Sequence, residues 1–295
     1  MKQHKWPNVK GTYKFDFNLR DISFFKVGGK CDVYFQPTDA LDLQNFLTQI
    51  PNDIDITVLG NVSNVLILDN GIRGCVINLA NFNKIMFEKD FVVVDAGVQL
   101  SSFIKHCIDH NLSCCEKLFC IPGTIGGAIS MNAGIPSFEI GDALISVDCI
   151  KFNGERITFK RKDLNMTYRD GNIGKDLIVV SATFNVSTKE KIKLQQEVND
   201  IIKKRRASQP IGAYTCGSTF KNPPGEKAWE LIQLAECKNL NVGDAFVSDI
   251  HSNFLINKGN ATSSDFLKLI NIIKQKVLQH TGILLEEEIK TIGEP

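Results

Sequence analysis

Glycine placement gives the first hint of chemistry in this chain. Four segments concentrate it: Val27-Gly28-Gly29, Leu59-Gly60-Asn61-Val62-Ser63-Asn64, Gly71-Ile72-Arg73-Gly74 and, most densely, residues 121–134, which read Ile-Pro-Gly-Thr-Ile-Gly-Gly-Ala-Ile-Ser-Met-Asn-Ala-Gly. Lacking a Cβ, glycine lets backbone N–H groups come close to a ligand, and small hydroxyls beside it complete what a pyrophosphate needs. A single Gly-Gly pair is more simply a turn. The 121–134 segment is harder to read that way, because it holds four glycines and two alanines in a stretch too apolar for a solvated loop. No Gly-Lys-Ser/Thr closes it and no G-x-G-x-x-G opens a helix after a strand, so it fits neither common phosphate motif.

The elements around these segments fall into two styles. From about residue 31 to 186, short β-branched and aromatic runs are punctuated by Gly, Asn and Asp, which predicts strands at 55–59, 65–68, 75–78, 91–96, 144–152 and 177–186. Helices are expected at 40–49, behind the capping candidates Thr38 and Asp39, and at 100–110 after Gly97. Beyond residue 188, Leu194, Val198, Ile201, Ile202 and Arg205 recur at helical spacing. So do Phe266, Leu269, Ile270, Ile273 and Val277, in a helix starting near Thr262 or Ser263 and stopping at Gly282. This predicts a strand-rich first part and a helix-richer second part, with a boundary near 187–195.

Composition removes several classes of function. Against 34 Lys+Arg stand 33 Asp+Glu, a formal net charge of +1, which disfavours a general nucleic-acid or membrane-surface binder. The nine cysteines are odd in number, lack repeated C-x-x-C spacing and follow no signal-peptide pattern, so they read as reduced thiols of a cytoplasmic protein. No apolar run reaches the ~18 residues of a membrane span. The five histidines show no metal-ligand spacing, and no metal is expected.

The motifs, taken in order, resemble the UDP-N-acetylenolpyruvoylglucosamine reductase family. Gly28-Gly29, residues 59–64, residues 71–74, residues 121–128, Met-Asn-Ala-Gly at 131–134, Tyr168-Arg169, Cys-Gly-Ser-Thr-Phe-Lys-Asn-Pro at 216–223 and Glu288 before Ile-Lys-Thr-Ile-Gly carry the likeness over nearly the whole chain. The resemblance implies an α+β fold: a vanillyl-alcohol-oxidase (PCMH-type) FAD-binding domain at 1–190, with a core of about 26–188, then a smaller α+β substrate-binding domain at 191–295. It implies NADPH-dependent, FAD-mediated reduction of the enolpyruvyl ether of UDP-N-acetylglucosamine to UDP-N-acetylmuramate, a cytosolic step of peptidoglycan synthesis, by a monomer. The short stretch between Arg169 and Ser218 resembles the compact second type of the family.

What the resemblance implies for single residues is specific. Hydride would pass from flavin N5 to the enolpyruvyl group, Ser218 would protonate the neighbouring carbon, Arg169 would face the carboxylate or enolate oxygen, and Glu288 would help polarise or protonate that oxygen. FAD would be held by Gly28, Gly29, Gly60, Asn61, Ser63, Asn64, Ile121, Pro122, Gly123, Thr124, Gly126, Gly127, Ala128, Asn132, Ala133 and Gly134. Tyr168, Arg205, Asn222, His251 and Asn253 would serve the substrate, Arg205 meeting the UDP diphosphate. From residue type alone, Ser218 would be a turn serine, Glu288 the end of a solvated acidic run and His251 a hydrogen-bonded structural histidine.

Two positions depart from the pattern: the family usually carries glycine where this chain has Val62 and again at Cys120. A β-branched valine resists φ > 0, so either position 62 does not need that conformation or its loop is adjusted. Two other readings remain: an FAD-dependent oxidase or dehydrogenase of the same cofactor fold acting on a small hydroxy acid or alcohol, and a nonenzymatic nucleotide-binding module. FAD, NADPH and a UDP-sugar are all anionic, and with no global positive excess their charges must be met locally.

Overall fold

The computed structural model describes residues 6–295. Two compact units emerge, each gathered from three stretches of chain: one from the residues up to Phe15, Val33–Asn61 and Gly74–Lys203, the other from Asp16–Asp32, Val62–Arg73 and Lys204–Pro295. One cut near 187–195 separates most of the second unit but assigns its first two stretches elsewhere. The physical reason is long-range pairing. The strand Val65–Ile67 runs parallel to Lys290–Ile292 near the end of the chain, and Phe25, Val27 and Leu66 pack in the same core as Phe220, Phe266 and Leu269.

The first unit is built on a five-stranded antiparallel sheet in the order Arg156–Lys160, Leu144–Lys151, Leu177–Asn185, Phe91–Asp95, Ile85–Phe87. A four-stranded sheet places Thr12–Asn18, Lys30–Gln36, Ile72–Ile77 and Ile56–Val58 side by side, the last pair parallel. All six expected strands are present, five of them shortened by a residue or two and the one expected at 75–78 beginning earlier, as Ile72–Ile77; Thr12–Asn18 and Lys30–Gln36 lacked a clear local signal. Helix Ala40–Gln49 is capped by Asp39, whose carboxylate accepts the Asp42 N–H at 2.9 Å. Helix Leu100–Asp109 buries Leu100, Phe103, Ile104, Cys107 and Ile108, and the Phe103 ring lies 5.2 Å from that of Phe184 on the central strand. Each such side chain, fully buried, contributes about 1.5–3 kcal/mol relative to exposure.

The second unit centres on Phe25, Phe220, Leu255, Phe266 and Leu269, with a small sheet of Asn241–Val242, Ala245–Val247 and Leu255–Asn257. The helix Ser263–Thr281 forms as its pattern predicts. Thr262 Oγ1 accepts the Asp265 N–H at 3.1 Å, the Asp265 carboxylate accepts the Thr262 N–H at 2.9 Å, and Gly282 ends the helix at φ +72°. Helix Lys191–Ser208, which carries the basic run 203–206, belongs to the first unit up to Lys203 and buries Leu194 and Val198 in that unit's core.

Thr262→Ala removes half of this capping box and leaves an N-terminal amide without its acceptor. Urea unfolding is expected to show a loss of about 0.5–2 kcal/mol with an unchanged denaturant slope.

Candidate active site

In the first unit, two glycine segments meet at one place. A Cβ on Gly60 would come within 2.7 Å of Thr124 Oγ1, so only glycine lets the 59–61 loop lie against the start of the helix Ile125–Ser130. That helix lies inside the stretch read from sequence as a continuous cradle. Its formation commits several donors: the Ile125 N–H bonds to Val98 O, the Gly126 N–H to Ala96 O, the Ala128 N–H to Thr124 O, and the Gly127 N–H to Thr124 Oγ1. Among the described residues, the N–H groups of Gly60, Asn61, Gly123 and Thr124 take no part in this pairing.

A buried residue that the sequence reading passed over aims two of them. Asn78 donates from Nδ2 to the carbonyls of Leu59 at 2.9 Å and Gly60 at 3.0 Å, while its Oδ1 accepts the Ala80 N–H at 3.1 Å. In a trans peptide the N–H points opposite to the C=O, so holding these two carbonyls turns the N–H groups of Gly60 and Asn61 away from Asn78 as a pair. Such a pair of converging donors with small neighbours fits the diphosphate of a dinucleotide such as FAD.

Other residues of the expected cofactor set do structural work. Asn132, fully buried at φ +41°, donates from Nδ2 to Thr167 O at 2.9 Å and to the Glu139 carboxylate, and its Oδ1 accepts the Gly141 N–H at 3.2 Å. Ala133 bonds backbone to backbone with Ala128 and Ile140, and Gly134 pairs with Glu139. In the second unit, Gly28 and Gly29 allow close chain packing: a Cβ on Gly28 would sit 2.8 Å from Ile67 Cβ, and the Gly29 N–H bonds to Leu68 O. Asn64 donates from Nδ2 to the carbonyl of Glu288 at 3.1 Å and accepts the Lys290 N–H at 3.0 Å.

Tyr168 and Arg169 form the tip of a tight turn in the first unit. Thr167 and Asp170 exchange backbone hydrogen bonds at 2.9 and 3.0 Å, Arg169 takes φ +58°, and its guanidinium carbon lies 4.7 Å from the centre of the half-exposed Tyr168 ring. The Asn132 amide on Thr167 O anchors the base of this turn.

In the second unit, Ser218 and Glu288 belong to adjoining extended segments joined by isolated bridges. Ser218 bridges to Phe254 and Phe220 to Glu287, so that Thr219 O accepts the Glu288 N–H at 2.8 Å and the Lys221 N–H bonds to Glu286 O at 2.8 Å. Ser218 is partly exposed, whereas Thr219 and Phe220 on the same strand are buried. Lys274 pairs with Glu287 at 3.0 Å and Lys221 with Glu286, so both neighbours of Glu288 in the acidic run have their own cations.

Asn222 Oδ1 accepts the Ala228 N–H at 3.0 Å, starting the helix Ala228–Leu234. Arg205 lies half-buried on the helix Lys191–Ser208. His251 is held by structure: its Nδ1 accepts the Asn253 N–H at 3.3 Å, its ring packs 4.8 Å from that of Phe254, and burial lowers its pKa from the ordinary 6.5. Asn253 is 3 % exposed and turned wholly to backbone groups.

The two departures have different outcomes. Val62 does adopt the left-handed conformation, at φ +53° and 3 % exposure, so position 62 requires what glycine gives freely. Cys120 is half-buried at the entry to Ile121. Burial pushes the Cys216 thiol up to about 12, which makes it a packing group whose Sγ lies 3.3 Å from Val65 O. Among the described residues no cysteines form a disulfide and no cluster could hold a metal ion.

Comparison with known proteins agrees with this geometry. Residues 31–160 match an FAD binding domain, and residues 209–292 match the C-terminal domain of UDP-N-acetylenolpyruvoylglucosamine reductase. The fold and its loops define an FAD-dependent oxidoreductase with an α+β, PCMH-type cofactor domain. The UDP-N-acetylenolpyruvoylglucosamine reductase of Rickettsia prowazekii (strain Madrid E) is 41% identical over 97% of this chain and 98% of its own length, and that of Rickettsia bellii (strain RML369-C) is 41% identical over 97% and 96%. A crystal structure of the Thermus caldophilus enzyme superposes with a TM-score of 0.84 at 29% identity, covering 97% of this chain and all of that one. A berberine bridge enzyme variant is similar in fold, with a TM-score of 0.51 at 16% identity over 63% of this chain and 42% of its own. The chain belongs to the UDP-N-acetylenolpyruvoylglucosamine reductase family.

Asn78→Ala leaves two loop carbonyls without their donor, and a faster loss of FAD on dialysis is expected, with stability lowered by about 1–3 kcal/mol. His251 carries a pH signature. Its folded pKa is depressed, so its contribution is complete above the ordinary 6.5 and is lost as pH falls through the lowered folded value. Urea unfolding at about pH 7.5 and about pH 5 should show a smaller acid loss in His251→Gln than in the unmodified chain.

Proposed function

We propose that this protein reduces the enolpyruvyl ether of UDP-N-acetylglucosamine to UDP-N-acetylmuramate with electrons from NADPH, acting as a monomer in the cytosol in peptidoglycan synthesis. The observation that carries the reading is the pairing of the Ser218 strand with the Glu286–Glu288 segment, which flavin binding alone does not require. The names of the relatives support the substrate class.

Bound FAD supplies the transfer of an electron pair from the nicotinamide to the terminal enolpyruvyl carbon. The N–H groups of Gly60, Asn61, Gly123 and Thr124 would hold its diphosphate, and Ile121 and Pro122 would offer it apolar surface. Backbone donors suit a chain of net charge +1, since they meet the anion locally without a free cation. Ser218 gives its proton to the carbon next to the substrate carboxylate. A serine hydroxyl is a weak acid, so this requires close positioning and stabilisation of the charge left on Oγ. Arg169, at the tip of its turn, presents a permanent planar cation to the carboxylate and the developing enolate oxygen, and Tyr168 supports the guanidinium through its ring face. Glu288, presenting its carboxyl proton, helps to polarise or protonate the enolate oxygen. Arg205 and Asn222 serve the uridine diphosphate end.

Anaerobic stopped-flow separates the two half-reactions. Ser218→Ala is expected to leave bleaching of the flavin by NADPH within about 2-fold, while slowing the return of colour with the enolpyruvyl sugar nucleotide by about 100-fold or more. Equal losses in both halves remove Ser218 from the proton-donor role.

A further inference from the structure

We infer that Asn253 is a positioning residue for the oxidative half-reaction, holding Ser218 and Glu288 in register through the backbone of Thr219 and Phe220; this rests on the assignment of Ser218 as proton donor. The sequence pattern suggests a substrate contact, but the side chain does something else. Asn253 Oδ1 accepts the Phe220 N–H at 2.9 Å and Nδ2 donates to the Phe220 carbonyl at 2.8 Å, so one carboxamide grips both polar groups of one residue. The main-chain carbonyl of Asn253 accepts the Thr219 N–H at 2.8 Å. Its own N–H goes to His251 Nδ1. Three of the polar groups next to Ser218 along the strand are therefore fixed by a single residue.

The opposite side of the same strand carries Glu288. Thr219 O accepts the Glu288 N–H at 2.8 Å, and Asn64 Nδ2 holds the Glu288 carbonyl at 3.1 Å. A shift of Thr219 thus moves the backbone of Ser218 and of Glu288 together. The Thr219 hydroxyl adds no polar tether of its own, since it is fully buried with no hydrogen-bond partner among the described residues. The strand's position depends on backbone bonds, and Asn253 supplies most of those on its side. A neutral carboxamide suits the task, since it offers a donor and an acceptor in fixed geometry without burying a charge. Displacement of a reacting group by about 1 Å can cost about 100-fold in rate, so the grip matters most for the step that uses the Ser218 proton.

The test substitutes Asn253→Asp, which keeps the shape and the acceptor but sets an oxygen against the Phe220 carbonyl. FAD content and the rate of bleaching by NADPH are expected to stay within about 2-fold, while reoxidation by the enolpyruvyl sugar nucleotide slows about 10- to 100-fold with a larger solvent isotope effect. In a Ser218→Ala background the same change should slow reoxidation by a clearly smaller factor than in the unmodified chain, because the proton donor it positions is gone and only the placement of Glu288 is still affected. Should the Asp variant fold poorly, Asn253→Ser reads the same rates. An additive loss on top of a selective Ser218→Ala, or an equal loss in both half-reactions, overturns the role of Asn253 alone. A Ser218→Ala that slows both halves equally overturns the proton-donor assignment and this inference with it.

Discussion

The folded chain depends on buried carboxamides gripping backbone that no helix or strand pairs. Asn78, Asn132, Asn253 and Asn257 are each 8 % exposed or less, and each bonds to main-chain groups remote in sequence. Loops that approach a ligand must keep some N–H groups outward, so their carbonyls need partners that ordinary secondary structure does not give. An asparagine meets this need at both ends while remaining neutral, whereas a buried carboxylate would supply acceptors only and add a desolvation cost. Asn78 sets the 59–61 loop, Asn132 the Tyr168-Arg169 turn, and Asn253 the Ser218 strand. Asn257 ties Phe25 to the 259–261 loop through Nδ2 to Phe25 O and Oδ1 to the N–H groups of Gly259 and Ala261.

Two residues near these loops carry backbone strain. Arg169 and Val62 both lie in the left-handed region, at φ +58° and +53°, where a side-chain-bearing residue costs on the order of 1–3 kcal/mol. The surroundings hold them there. For Arg169 the paired backbone bonds of Thr167 and Asp170 close the turn beneath it, and for Val62 near-complete burial of the isopropyl group offsets part of the cost.

Much of this was legible from residue types. Three strands of the large sheet, the four long helices, the caps at Asp39, Thr262 and Gly282, and the crowding of glycine near a cofactor site all follow from local patterns, whereas Ile85–Phe87 and Arg156–Lys160 did not stand out. The asparagine grips were not, because Asn253 acts on a residue 33 positions away and Asn132 on one 35 away, and nothing in an Asn-Phe or Met-Asn pair announces such a partner. Asn132 and Asn253 have the right type for ligand contacts and were therefore read as such. The helix Ile125–Ser130 was hidden because Gly126 and Gly127 argue against it on propensity, whereas packing against Ala96 and Val98 decides the matter. The interleaving of the two units was equally invisible, since no local pattern says that residues 65–67 pair with residues 290–292.

That last pairing bears on how the protein is made. Val65–Ile67 has Lys290–Ile292 as its strand partner, and Leu66 and Ile67 are completely buried in the finished fold. On a ribosome, the apolar run Val-Leu-Ile-Leu therefore emerges more than two hundred residues before the strand that covers its edge. Throughout elongation it is a sticky, unpaired edge of the kind that nascent-chain chaperones bind and that seeds aggregation when they are overwhelmed. Synthesis of residues 290–292 thus gates the pairing of this early segment, and a chain broken off before them keeps the edge of Val65–Ile67 open.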